Sequence, residues 1–118
     1  MDINVGVDIV EINKFKNICY KYKERFFRKI FSDIEMEYLK KDSAKMCISF
    51  SFKESIWKAL PEEIQRKIFL KDIKIGWKDN KPFLIEEINN YKFLLTFSLI
   101  GRYVVTIVLL LNYEFDII

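Results

Sequence analysis

The chain has 118 residues, which suits one domain spanning residues 1–118 with a single modest core. Apolar residues make up 51% of it and aromatics 16%, which excludes a disordered chain. The net charge of +3 is too mild to point to nucleic acid by itself, but the basic residues cluster. Between Lys14 and Lys29 stand seven of them (Lys14, Lys16, Lys21, Lys23, Arg25, Arg28, Lys29), against Glu24 alone.

Ile3, Val5, Val7 and Ile9 alternate with Asn4, Gly6 and Asp8, the period of a half-buried strand. Gly6 lets a ligand or a neighbouring backbone come close beside Asp8. Glu11 to Tyr22 and Glu24 to Phe31 are expected as two short helices. Ser32 is the N-cap expected for a helix from Asp33 to Lys41, with Glu35 at the capping-box position. The main helix starts at Asp42 or Ser43 and should stop near Leu60, ahead of Pro61. Residues 62–69 leave room for another helical turn or two.

The pattern then changes to period two. Asp72 to Lys78, Pro82 to Glu86, Tyr91 to Ser98 and Tyr103 to Leu111 are predicted strands, with turns at Asp79-Asn80-Lys81 and Gly101-Arg102. A strand, then helices, then an antiparallel meander indicates an α+β domain with one long buried helix. The apolar stretch from Phe93 to Leu111 is long enough to raise a membrane span. Gly101-Arg102 interrupts its centre, where an arginine costs about 2.5–3.5 kcal/mol to insert, so two strands are predicted and no span. Asp2 and Asp8 break the pattern of a signal peptide. Cys19 and Cys47 match no metal or redox spacing, and free thiols predict a cytoplasmic setting.

Projected at 100° per residue, Met46, Phe50, Trp57 and Leu60 of the main helix fall together, and Ile48, Phe52 and Ile56 widen that apolar surface. The remaining sector holds Cys47, Ser51, Glu54, Ser55 and Lys58, and in a mostly buried helix it is expected to face a cleft. By spacing alone Glu54 and Lys58 are an i, i+4 ion pair worth about 0.2–0.5 kcal/mol. Asp8, inside an apolar strand, needs a partner: a lysine or a bound cation. Carboxylate oxygens with few other ligands suit magnesium, which keeps several waters and leans on substrate phosphates. The basic run is either a solvated helical face or a docking surface for an acidic partner.

Gly6-Val7-Asp8-Ile9-Val10-Glu11-Ile12 and Lys53-Glu54-Ser55-Ile56-Trp57-Lys58, in this order and near this separation, resemble the two motifs of the acyl-carrier-protein synthase branch of the phosphopantetheinyl transferases. The resemblance takes in nearly the whole chain, including Phe31-Ser32 to Glu35 and Asp72-Ile73-Lys74-Ile75. It implies transfer of 4′-phosphopantetheine from coenzyme A to a serine of an apo acyl carrier protein, with magnesium and release of 3′,5′-ADP, in fatty acid or polyketide synthesis. It implies metal binding by Asp8 and Glu54, catalysis by Asp8, Glu54 and Lys58, and coenzyme A contacts at Lys53, Lys58 and Ser98. Glu11 is implied either as a further group near the metal or as a helix start. The resemblance implies that Lys14 faces the acidic carrier protein, and Arg25 and Arg28 are candidates to join it because arginine can grip carboxylates in two-pronged fashion.

The chain also departs from the family pattern. It has no histidine, so Thr96-Phe97-Ser98-Leu99 stands where the family has Ser-x-Ser-His. Pro61-Glu62-Glu63 replaces a Gly-rich turn, and Ser49 stands in place of an arginine. A homologue that binds carrier protein as a scaffold without modifying it therefore remains an alternative. An RNA-binding module is a third, without a nucleic-acid motif to support it. Finally, Tyr103 to Leu111 is apolar on both faces, more than so small a chain can cover alone. Together with the resemblance, this implies a homotrimer with sites at subunit interfaces.

Overall fold

The computed structural model describes residues 2–39 and 42–112. The chain begins with strand β1 (Asp2–Glu11), followed by helices α1 (Ile12–Ile30), α2 (Asp33–Leu39), α3 (Ser43–Ala59) and the single turn α4 (Glu62–Gln65). A 3₁₀ turn at Leu70–Asp72 leads into strands β2 (Ile75–Lys78), β3 (Lys81–Leu84), β4 (Lys92–Ile100) and β5 (Tyr103–Asn112). The α+β class read from the sequence is the one observed.

Local chemistry explains the boundaries. Nothing between Ile12 and Ile30 breaks a helix, and Phe15, Cys19, Phe26, Phe27 and Ile30 pack on the core. The two short helices expected there are therefore one, α1. At α2, Glu35 Oε1 accepts from the backbone N–H of Ser32 at 3.0 Å, half of the predicted capping box. The predicted end of this helix at Lys40-Lys41 lies outside the described residues. Asp42 caps α3 by accepting from the Lys45 N–H, and Leu60 leaves the helix at φ −71°, ψ 146° ahead of Pro61, as Pro requires. Asp72 belongs to a turn rather than a strand, because its carboxylate accepts the Phe69 N–H at 2.9 Å.

The strands form two sheets, not one meander. β5 lies between β1 and β4, antiparallel to both, while β2 and β3 pair separately. Asp79 and Asn80 make the β2–β3 turn with φ 50° and 64°, the left-handed pair that a two-residue hairpin uses. Helix α3 crosses the inner face of the large sheet, where Val104, Thr106, Val108 and Leu110 of β5 are buried. Phe52 and Ile56 of α3 are fully enclosed, a burial that contributes about 1.5–3 kcal/mol for each such side chain. No helix among the described residues is long and apolar enough to cross a membrane.

The small polar sector of α3 opens onto a cleft only at Glu54. Cys47, Ser51 and Ser55 are completely buried. Their small size lets the helix settle on the sheet, where both serine hydroxyls meet Thr106 Oγ1 and that of Ser51 donates to Asp8. Only Glu54 and Lys58, at the edge of that sector, reach the surface.

Candidate active site

The site begins with a backbone contact. A Cβ on Gly6 would fall 1.8 Å from the Ser55 carbonyl oxygen, so β1 can lie this close to α3 only with glycine there. Asp8, two residues on and on the same face of the strand, is thereby set against the last turns of the helix.

Lys58 Nζ stands 3.1 Å from Asp8 Oδ1 and donates to the Val7 carbonyl at 3.1 Å. The helix lysine thus pairs across to the strand and not with Glu54, four residues earlier. Asp8 is 13% exposed and Lys58 48%, so the pair sits at a surface edge and contributes little stability, about 0–1 kcal/mol. Glu54 is half-buried, and burial first, then the negative charge of Asp8, push its carboxyl above the usual range against the pull of Lys58. Asp8 and Glu54 line one cleft of about 410 Å³, together with Glu11 and Lys14. Phe15 and Phe50, with ring centroids 5.3 Å apart, form part of its apolar wall.

Two acids crowded at one cleft make a place that a cation would relieve. Among the described residues no cluster of three or more acidic, thiol or imidazole groups forms. A pair of carboxylates nevertheless suits magnesium, which takes one or two of them and completes its octahedron with water and substrate phosphate. Asp8 and Glu54 are the residues that would hold it.

Other predicted site residues fall elsewhere. Lys53 does not face the cleft: it is completely buried, and its ammonium donates to Glu35 Oε1 at 2.6 Å and to the carbonyls of Leu70 and Ile73. All three of its protons are used inside the core, which removes Lys53 from the coenzyme A contacts within this chain. Adjacent helix positions are about 100° apart, so Lys53 and Glu54 diverge. Ser98 is exposed on β4, paired with Val105, and is not brought to Asp8, Glu54 and Lys58. Lys14, Arg25 and Arg28 are exposed on α1. At about 100° per residue they share one stripe with Ile18 and Lys21, and its first turn adjoins the cleft. Arg28 also pairs with Glu24 at 3.3 Å.

Sequence reasoning missed Thr106 and the use made of Ser51. Ser51 Oγ donates to Asp8 Oδ2 at 3.0 Å and meets Thr106 Oγ1 at 2.8 Å. A lone threonine in the apolar strand Tyr103–Leu111 was the available signal.

Fold and site together define a class: an α+β protein whose first strand and central helix bring an aspartate, a glutamate and a lysine to one edge. The family model described as the 4′-phosphopantetheinyl transferase superfamily matches residues 4–108, and the chain belongs to that superfamily. It is 37% identical over 88 residues to the holo-[acyl-carrier-protein] synthase of Bartonella tribocorum, covering 71% of this chain and 66% of that protein. With the enzyme of that name from Halothermothrix orenii the identity is 33% over 84 residues, covering 68% and 66%. The chain thus spans just under two thirds of the length of these relatives.

Two solved structures share the fold. The Helicobacter pylori holo-[acyl-carrier-protein] synthase in complex with coenzyme A superposes with a TM-score of 0.77 at 24% identity, over 91% of this chain and 99% of that one. The Neisseria meningitidis holo-[acyl-carrier-protein] synthase gives 0.73 at 19% identity, over 92% and 98%.

Proposed function

We propose that this chain transfers 4′-phosphopantetheine from coenzyme A to a serine of an apo acyl carrier protein in the cytoplasm, with magnesium. The observation that carries the reading is that Asp8 and Glu54 line one cleft, with Lys58 Nζ 3.1 Å from the Asp8 carboxylate. These are the residues that the two motifs single out. The names of the relatives, and a coenzyme A complex among the proteins that share the fold, support it.

In this reading Asp8 and Glu54 turn their carboxylates toward the coenzyme A pyrophosphate. Asp8 and Glu54 would hold magnesium there, and the ion would polarise the phosphoryl group and neutralise developing charge. Glu54, or a water held at the site, takes the proton of the carrier serine. The serine oxygen forms its bond to the phosphorus that bears the pantetheine arm, and the bond from that phosphorus to 3′,5′-ADP breaks. Lys58, half-exposed on a flexible stem, follows the leaving phosphate and stabilises its charge.

The basic stripe of α1 leads away from the cleft, so an acidic carrier can lie along it with its serine at the site. The chain works as a homotrimer, built on the uncovered apolar face of the large sheet. Ile3, Val5, Val7 and Ile9 of β1 are 45–62% exposed there, beside Leu94 and Ile107. Ser98 lies on this same face, so it can serve coenzyme A only in a neighbouring subunit's site.

Incubating the protein with coenzyme A, magnesium and an apo carrier, then weighing the carrier by mass spectrometry, tests the reading. A gain of one phosphopantetheine unit that Asp8→Asn abolishes is the expected result. Carrier binding without any mass gain would favour the scaffold alternative, which the missing histidine keeps open.

A further inference from the structure

Behind Asp8 lies a line of three buried hydroxyls. Ser51, Ser55 and Thr106 each have no exposed surface. Ser51 Oγ is 3.0 Å from Asp8 Oδ2, Thr106 Oγ1 is 2.8 Å from Ser51 Oγ, and Ser55 Oγ is 2.5 Å from Thr106 Oγ1. Each hydroxyl has a single proton to give, and the Asp8 carboxylate has none. Ser51 must therefore donate to Asp8. Its contact with Thr106 then needs Thr106 as donor, with the same proton shared to the Ser51 carbonyl at 3.1 Å. The contact between Thr106 and Ser55 in turn needs Ser55 as donor. The line has one direction, and it ends on Oδ2.

This fixes how Asp8 is presented. Oδ2 is held inward by the hydroxyls, while Oδ1 is paired with Lys58 Nζ at 3.1 Å, so a cation would meet Asp8 at Oδ1, in place of or beside that half-exposed ammonium. A carboxylate held by one oxygen is poorly placed for the two-oxygen grip that the larger calcium ion accepts. It suits the single short bond of an octahedral ion such as magnesium or manganese.

We propose that Ser51, Thr106 and Ser55 are positioning residues that hold Asp8 for one-oxygen coordination and so set the preference of the site for a small octahedral cation over calcium. The proposal rests on the reading that Asp8 and Glu54 hold the metal. It adds to that reading the residues that determine which metal is taken.

The experiment is a calorimetric titration of the 118-residue chain, with coenzyme A present, by Mn²⁺ and separately by Ca²⁺. Ser51→Ala removes the last link and leaves Thr106 its carbonyl acceptor. Thr106→Val removes the hydroxyl at nearly constant shape, whereas Thr106→Ser keeps the hydroxyl and removes the methyl group. Residues behind a metal ligand typically affect affinity about 10–100-fold. Ser51→Ala and Thr106→Val are therefore expected to weaken Mn²⁺ about tenfold or more, with little change for Ca²⁺, so that the ratio of the two affinities collapses. Thr106→Ser should stay near wild type, the reverse of what a packing role would give.

A wild-type Mn²⁺ to Ca²⁺ ratio in Ser51→Ala, with its melting temperature retained, would overturn the proposal; this variant decides the matter even where Thr106→Val does not fold. Wild-type Mn²⁺ binding that Asp8→Asn leaves untouched would instead sink the metal site itself, and the positioning role with it.

Discussion

Lys53 Nζ lies 2.6 Å from Glu35 Oε1, with neither side chain exposed to solvent. This pair ties α3 to the start of α2, and Glu35 Oε2 extends the tie to β2 by accepting the Ile75 N–H at 2.8 Å. Burial brings the Lys53 ammonium down to about 8, with Glu35 resisting the shift. The lysine that opens the second motif is therefore a clasp holding the helix that carries Glu54 and Lys58.

Removing one partner of such a pair leaves a buried charge uncompensated, at a cost of about 3–5 kcal/mol. Lys53→Met should destabilise the protein by that amount in urea denaturation. Adding Glu35→Leu should recover only part of the loss, because the N–H groups of Ser32 and Ile75 would then lack an acceptor, each costing about 1–3 kcal/mol. A near-neutral Lys53→Met would show that the clasp is not structural.

What the sequence disclosed follows from the range of the forces involved. Period-two strands, the Pro61 stop, the helix start at Asp42 or Ser43 and the Asp79-Asn80-Lys81 turn are local, and all were legible. Asp8, Glu54 and Lys58 were legible because an acid inside an apolar strand, and an acid and a base on a helix edge, are local anomalies. The destination of Lys53 was not, since its partners Glu35, Leu70 and Ile73 come from three other segments. Nor was the split into two sheets, because pairing of β1 with β5 joins the two ends of the described chain.

Glu54 gives a pH-dependent prediction. Its folded-state pKa lies above the ordinary 4.5, raised by burial and by Asp8. Between the unfolded and the folded value the native state holds more protons, so stability falls as pH rises through that window. Glu54→Gln removes this penalty. Its melting temperature at neutral pH should exceed that of the wild type, with the difference vanishing below the unfolded value. Transfer activity should fall about 100-fold or more. Magnesium with coenzyme A should raise the melting temperature of the wild type and leave that of the variant unmoved. A variant no more stable than wild type at neutral pH would count against a crowded Asp8–Glu54 pair.

The basic stripe on α1 makes a separable prediction. Arg25 and Arg28 are exposed, far enough along the helix to leave the cleft intact, and arginine can grip carboxylates in two-pronged fashion. Arg25→Glu with Arg28→Glu should raise the Michaelis constant for the carrier about tenfold or more, and leave coenzyme A binding by calorimetry unchanged. Part of this effect comes from losing the Glu24 pair of Arg28, which an Arg28→Gln control measures. The wild-type reaction should slow as salt approaches 1 M, where screening shortens to about 3 Å. Carrier kinetics indifferent to both changes would return the stripe to a merely solvated face.

The outer face of the large sheet supplies the last prediction. Val7, Ile107 and Thr96 stand side by side across β1, β5 and β4, and Val5, Leu109 and Leu94 form the next row. Val7 and Ile107 are 45% and 40% exposed, an apolar continuity that a lone chain would leave facing water. A charge at the centre of that face cannot be buried without a partner. Ile107→Asp should therefore reduce a trimer to monomers in sedimentation velocity at micromolar concentration, while circular dichroism still reports the folded chain. Because Ser98 shares the face, the same variant should raise the Michaelis constant for coenzyme A. An Ile107→Asp protein that sediments as the wild type does would show that this face is not where the subunits meet.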